Sequence, residues 1–291
     1  MKGAIEMLNY AIGDLKPETS LCSLELDGAV AHLTLAREDV YNALNIPLIT
    51  EIITLLDWTR ERSVGERGVL HDDAGAPYLR VIVLSGAGKH FCAGADINMM
   101  RDAGAKSPEE NRADSERLDR LFNSLWAHPC FTIGKVQGVA LGGGAGLIAC
   151  LDHVIVNPNV RIALSEGKLG ILPAVIGPYV YRKVGSAEFR RLSMLAGRIG
   201  SEEALRIGLV NQQYESLDGA ESSVIDEVLS TGPMAVAESK KLTLTFDRWT
   251  GNDEELRTWT LDKTSEMRGS AEGQEGLASF LEKRPPNWKQ E

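Results

Sequence analysis

Apolar and polar residues alternate along Leu21–Leu26 and again along Val30–Leu35. Asp27-Gly28 lies between them, so the pattern predicts two strands joined by a tight hairpin turn. From Pro47 to Arg60 the period lengthens, and Ile49, Ile52, Ile53 and Leu56 share one face of a predicted helix. Arg60–Pro77 is rich in glycine and charge without any period, which predicts a long loop. Arg80–Leu84 and Thr132–Val136 are short β-branched runs of the kind that form buried strands. Each run leads into a glycine-rich loop, Gly86–Asp96 (GAGKHFCAGAD) and Gly138–Gly146 (GVALGGGAG), and each loop into a predicted helix. Ser107-Pro108-Glu109-Glu110 supplies an N-cap and an acidic first turn to a further helix that ends near His128-Pro129. His153–Val156 and Arg161–Leu164 read as strands.

From Ser186 the chain reads as helical: Ala187–Leu195, Glu202–Ile207, Ile225–Leu229, Ala235–Phe246, Glu254–Met267 and Gly276–Glu282. Strands alternate with helices first, and helices follow alone. That order predicts an α/β protein with a core of repeated ββα units and a helical C-terminal region. The divisions are an N-terminal extension at 1–20, a core at 21–200 and the helical region at 201–291.

The two glycine loops change the picture from fold to chemistry. Glycine lets the backbone pass close to a ligand and present bare N–H groups. Two such turns side by side aim two donors at one oxygen, which is the design of an oxyanion hole. Neither loop is a dinucleotide fingerprint, because the third glycine is replaced by Phe91 in one and Leu147 in the other. A Walker A motif fails at Val83 and His90, and no GxSxG elbow occurs.

Composition narrows the classes further. Of 291 residues, 43% are hydrophobic and 25% charged, as in ordinary globular proteins, and the formal net charge of -10 argues against general nucleic-acid binding. Cys22, Cys92, Cys130 and Cys150 form no CxxC pair and fit no zinc spacing, so buried reduced thiols are expected. His71-Asp72-Asp73 reads as solvated loop rather than metal site. The first residues carry Glu6 and Asp14 within an apolar stretch, unlike a signal peptide, and Val139–Leu151 is too short to span a bilayer. A cytoplasmic protein without membrane attachment is expected.

Five segments in order carry a resemblance: Arg37–Leu44 (REDVYNAL), His90–Asp96 (HFCAGAD), Gly138–Gly144 (GVALGGG), Ser165–Pro173 (SEGKLGILP) and Glu275–Trp288. Together they resemble the crotonase, or enoyl-CoA hydratase/isomerase, superfamily. The resemblance implies a spiral of ββα turns with C-terminal helices used for trimerisation, hence a homotrimer or hexamer. It implies an acyl-CoA thioester as substrate and no metal or redox cofactor. It places the oxyanion-hole N–H groups at Ala95 and Gly143 and makes Glu166 the catalytic acid/base. Ile162, Leu164, Leu169 and Ile171 are the apolar residues expected around that carboxyl. The coenzyme is expected near Val40–Ala43 and Gly94–Ile97, that is Val40, Ala43, Gly94, Asp96 and Ile97. Phe280 and Lys283 are expected to close over its nucleotide, either within one chain or from a neighbouring subunit.

Two departures from the pattern bear on the reaction. Many hydratases carry a second Glu where this chain has Gly146. Three readings follow: hydration with one Glu, isomerisation by a single base, or another enolate reaction such as decarboxylation or thioester chemistry. The pair GGGAG and LGILPAVIGPYV resembles a subgroup acting on glutaconyl-type thioesters, including methylglutaconyl- and isohexenylglutaconyl-CoA. That favours hydration and calls for a cation to meet a distal carboxylate, with Arg101 first and Lys168 second. A non-catalytic binding protein on the same fold is the remaining alternative.

Overall fold

The alternating segments fold as the hairpin β1 (Cys22–Asp27) and β2 (Val30–Leu35), with Asp27 opposite Val30 and Gly28 at φ +54° in the turn. This computed structural model describes residues 15–289. Most of the N-terminal extension, residues 1–14, lies outside them, as does the segment read as unlike a signal peptide up to that point. After a 3-10 turn at Glu38–Val40 come α1 (Ile46–Glu61), α2 (Val64–Arg67) and β3 (Val81–Gly86). The next elements are α3 (Ile97–Gly104), α4 (Pro108–Trp126), β4 (Phe131–Val136), β5 (Val139–Leu141) and α5 (Gly143–Cys150). They are followed by β6 (His153–Val156), β7 (Arg161–Ala163), α6 (Gly177–Leu195), α7 (Ser201–Arg206) and β8 (Gln212–Gln213). The chain closes with α8 (Ser222–Ser230), α9 (Pro233–Asp247), α10 (Asp253–Gly269) and α11 (Ala271–Glu282).

The main sheet runs β1-β2-β3-β4-β6-β8, parallel throughout except for the hairpin. Its central strands are covered on both faces, which is why β3 reads as an unbroken apolar run. Ile82 and Leu84 join the large core with α1, α4 and α5, while Val81 and Val83 join Val224 and Val228 of α8. A second ladder crosses the turns of the spiral. Leu44 bridges Ala95, Cys92 bridges Ala140, and β5 pairs with β7, all in parallel. This ladder brings the two glycine loops side by side.

Three expectations are corrected. The segment Arg60–Pro77 is not all loop: Ser63 caps α2 by accepting from Glu66 N–H, and Gly68 ends it in the left-handed region. Helix begins again at Gly177, not Ser186, because Pro178 suits a first turn; its break falls at Gly185, φ +76°. The C-terminal region also contributes a strand, since β8 extends the sheet beside β6. Arg80 ties this region down by donating to the carbonyls of Val228 (3.0 Å), Leu229 (3.0 Å), Thr231 (2.6 Å) and Trp288 (3.4 Å). Among the described residues no helix is long and apolar enough to cross a membrane.

Candidate active site

The first loop is held from below by Asn42. This fully buried residue sits at φ +57°, next to Tyr41 at φ +54°. Its Oδ1 accepts from Arg37 N–H (2.8 Å), and its Nδ2 donates to Ala87 O (3.0 Å) and His90 O (2.8 Å). The loop then pairs with Leu44: Leu44 N–H donates to Gly94 O (2.8 Å) and Asp96 N–H to Leu44 O (2.9 Å). Backbone groups alternate in direction along an extended segment, so the Ala95 N–H between these bonds points the other way. No acceptor meets it among the described residues.

The second donor comes from the start of α5. Gly142, at φ +49°, gives its N–H to Ala163 O (2.8 Å), and Gly143 follows as the first residue of the helix. A helix leaves its first N–H groups without internal partners and concentrates positive potential there. Bonds from Cys92 N–H to Val139 O and from Leu141 N–H to Cys92 O (both 3.1 Å) stitch the loops together. They approach so closely that a Cβ on Gly94 would lie 2.5 Å from Leu141 O and 3.4 Å from Gly143 N, and one on Gly143 would lie 3.6 Å from Ala95 N. The structure therefore brings Ala95, Gly143 and Gly94 together as expected.

Glu166 completes the group. It stands in a 3-10 turn, Ser165–Leu169, that closes through Gly170 in the left-handed region. Its Oε1 lies 3.0 Å from where a Cβ on Gly142 would be, and its Oε2 is buried without a hydrogen-bond partner among the described residues. Burial raises its pKa above the ordinary carboxylate value, opposed by a bond from its own backbone N–H. The apolar surroundings differ from expectation. Ile162 and Leu164 are buried, but Leu169 and Ile171 are 54% and 43% exposed.

Gly146 faces an occupied space. A Cβ there would overlap the Ile176 side-chain methyl and come within 2.9 Å of Ile176 Cβ and 3.0 Å of the Phe122 ring. The place of a second carboxylate is filled by hydrocarbon.

The other expected residues lie around or away from this group. Arg101 is not drawn into the site: its side chain is 72% exposed and pairs with Asp102 at 3.0 Å. Lys168 is exposed in the turn of Glu166. Asp96 uses its carboxylate to cap α3, accepting from Asn98 N–H (3.0 Å) and Met99 N–H (3.4 Å), and to meet Arg37 at 3.4 Å. Val40 and Ala43 are half-buried in the adjoining turn, and Ile97 is exposed at the start of α3. Phe280 is 83% exposed on α11, and Lys283 caps that helix at φ +56°. Within the described residues no hydrogen bond or ion pair joins either to the glycine loops. Asp72 organises its loop by accepting from Ala74 N–H and Ala76 N–H, and all four cysteines are free and buried.

Sequence reasoning passed over Asn42 and Ile176. The consecutive left-handed residues at Tyr41-Asn42 leave a faint signal, since Asn tolerates that region better than most. Ile176 leaves none, because its partners lie 30 and 54 residues upstream, at Gly146 and Phe122.

Residues 25–291 match the family model described as enoyl-CoA hydratase/isomerase. The chain is 31% identical over 277 residues to a crotonyl-CoA hydratase of Syntrophomonas wolfei, covering 91% of this chain and 96% of that protein. It is 32% identical over 220 residues to carnitinyl-CoA dehydratase of Escherichia coli, covering 73% and 82%. A solved enoyl-CoA hydratase from Shewanella pealeana superposes with a TM-score of 0.84 at 36% identity, over 93% of this chain and 97% of that one.

Proposed function

The chain belongs to the enoyl-CoA hydratase/isomerase family, and on that premise we propose that it adds water to, or removes it from, an α,β-unsaturated acyl-CoA with Glu166 as its one proton-transfer carboxyl. The carrying observation is a buried carboxyl oxygen without a hydrogen-bond partner among the described residues, beside two backbone N–H groups without acceptors among them. The thioester oxygen receives the N–H groups of Ala95 and Gly143. As water bonds to the β-carbon, the π electrons move towards the thioester and an enolate forms; two aimed donors in a dry site stabilise it, and losing one costs about 3 kcal/mol. Glu166 takes the proton from the water and returns it to the α-carbon. One carboxylate thus serves both ends of the addition, which places the new O–H and C–H on one face. The hydrocarbon at Ile176 and Phe122 supports this single-carboxylate reading, because a second base at position 146 has no room.

The same observation favours a second reading, isomerisation, in which one base carries a proton between the α- and γ-carbons of a 3-enoyl thioester. A glutaconyl-type substrate rests on the resemblance of GGGAG and LGILPAVIGPYV. Of the two cations considered for its distal carboxylate, Lys168 stands two residues beyond Glu166 and makes no ion pair among the described residues, whereas Arg101 is engaged by Asp102. The test is a turnover screen with crotonyl-, 3-methylcrotonyl-, 3-methylglutaconyl- and 3-enoyl-CoA. Water addition to a 2-enoyl thioester supports hydration; double-bond migration without water addition transfers support to isomerisation; no turnover of any of them overturns both.

A further inference from the structure

Helix α5 is a rigid rod that begins at the oxyanion donor Gly143. It has eight residues, all buried, and so spans about 12 Å. A helix end buried in protein needs donors for its last carbonyls. At the far end of α5, the Lys183 ammonium on α6 donates to Leu151 O (2.6 Å) and Ile148 O (3.4 Å). Leu151 is itself buried, and Lys183 supplies the one hydrogen bond to its carbonyl found among the described residues. Lys183 makes no ion pair there either. Its task is directed at the helix end, where a cation also complements the dipole.

We propose that Lys183 is a positioning residue for the oxyanion hole: its ammonium caps the C-terminus of α5 and fixes where the Gly143 N–H points. This role rests on the enolate reading of the site. The lever is short and stiff, so a shift at Ile148 and Leu151 is passed along the rod to Gly143. Displacements near 1 Å in a reacting geometry cost on the order of 100-fold in rate.

The cap is sensitive to proton loss. Burial pushes the Lys183 pKa down to about 8, opposed by Asp152 and the Cys150 thiol at the end of α5. His153 at the start of β6 also stands near it, and Asp152 is itself engaged by Lys240 of α9 at 2.5 Å. Burial holds His153 below the ordinary histidine value and raises Cys150 well above the ordinary thiol value. The sign for stability is opposite to that for activity. Above about pH 8 the folded chain has released a proton that the unfolded chain keeps up to its ordinary lysine value of 10.5, so this group makes stability rise with pH there. Activity lost in that window through Lys183 is therefore not unfolding.

The experiment follows kcat and KM for crotonyl-CoA across the alkaline range in wild type, Lys183→Met and Lys183→Arg. In parallel, the Gly143 amide resonance of 15N-glycine-labelled protein is followed without any substrate. Wild-type kcat should fall at least ~10-fold with a midpoint near pH 8 while KM changes little, and the Gly143 amide should move with the same midpoint. Lys183→Met should be slow at every pH with a static Gly143 amide, and Lys183→Arg should carry activity to higher pH. Should Lys183→Arg not fold, the amide comparison between wild type and Lys183→Met decides. A static wild-type Gly143 amide, or wild-type kcat in Lys183→Met, overturns the role. A protein that hydrates enoyl-CoA with a static amide loses only this inference; one that turns over no enoyl-CoA while its Gly143 amide follows Lys183 loses only the hydratase reading.

Discussion

At Glu166, function and stability pull in opposite directions. Its pKa is raised by burial, so the folded chain favours the neutral form. The stabilising contribution of that neutral carboxyl is complete below the unfolded value near 4.5 and is lost as pH rises through the folded value. Glu166→Gln should therefore melt at a higher temperature than wild type at neutral pH, by an amount on the order of 1 kcal/mol, and the gain should vanish in acid. Thermal unfolding at two pH values checks this; a destabilised variant at neutral pH would show that the folded chain stabilises the ionised carboxylate instead. At Gly146 the space is already taken, so Gly146→Glu should cost more than the roughly 1–3 kcal/mol of simple overpacking, because it also buries an unpaired carboxylate. Denaturant unfolding of Gly146→Glu alone and with Ile176→Gly separates the two: the double variant should recover part of the loss, and no recovery would remove Ile176 from the account.

Among the elements, α3 shows a residue matched to a ligand role that also has a structural task. Asp96 caps the helix and meets Arg37, whose guanidinium also donates to Ala43 O at 2.5 Å. Asp96→Asn keeps a capping oxygen and should cost little, while Asp96→Ala should lose about 1 kcal/mol or more. A KM for an acyl-CoA equal to that of wild type is expected in both variants; a large KM increase shared by both would return the carboxylate to substrate binding. The same distinction governs what the sequence revealed. The hairpin, β3, β4, β6 and α4 were legible because each carries its own alternation, β-branched run or cap. The loops were legible because Gly94 and Gly142 take positive φ and the two backbones come close there, both of which favour glycine. The strand β8 was not, since Gln212–Gln213 has no alternation and pairs only because β6 presents an open edge. The start of α6 was hidden by Gly177-Pro178, which reads equally as a turn. Asn42, Ile176 and Lys183 act across the spiral, on residues distant in sequence, and no local pattern reports such contacts.

Over the whole molecule, apolar side chains remain uncovered around the turn that carries Glu166 and on the last helix. Leu169, Ile171, Leu172, Met194, Leu195, Phe280 and Leu281 are all exposed in the single chain. Patches of this kind mark association surfaces, in keeping with the trimer or hexamer implied by the resemblance. Sedimentation at micromolar concentration should give a trimer or its dimer; a stable monomer would contradict it.

The central claim is that one carboxyl, beside two backbone donors, carries the proton transfer. The most direct measurement is turnover of the best enoyl-CoA substrate by Glu166→Gln beside wild type, with acyl-CoA binding measured on the same samples. The account predicts retained binding and at least ~100-fold slower turnover. Near-wild-type turnover by the folded variant would contradict it.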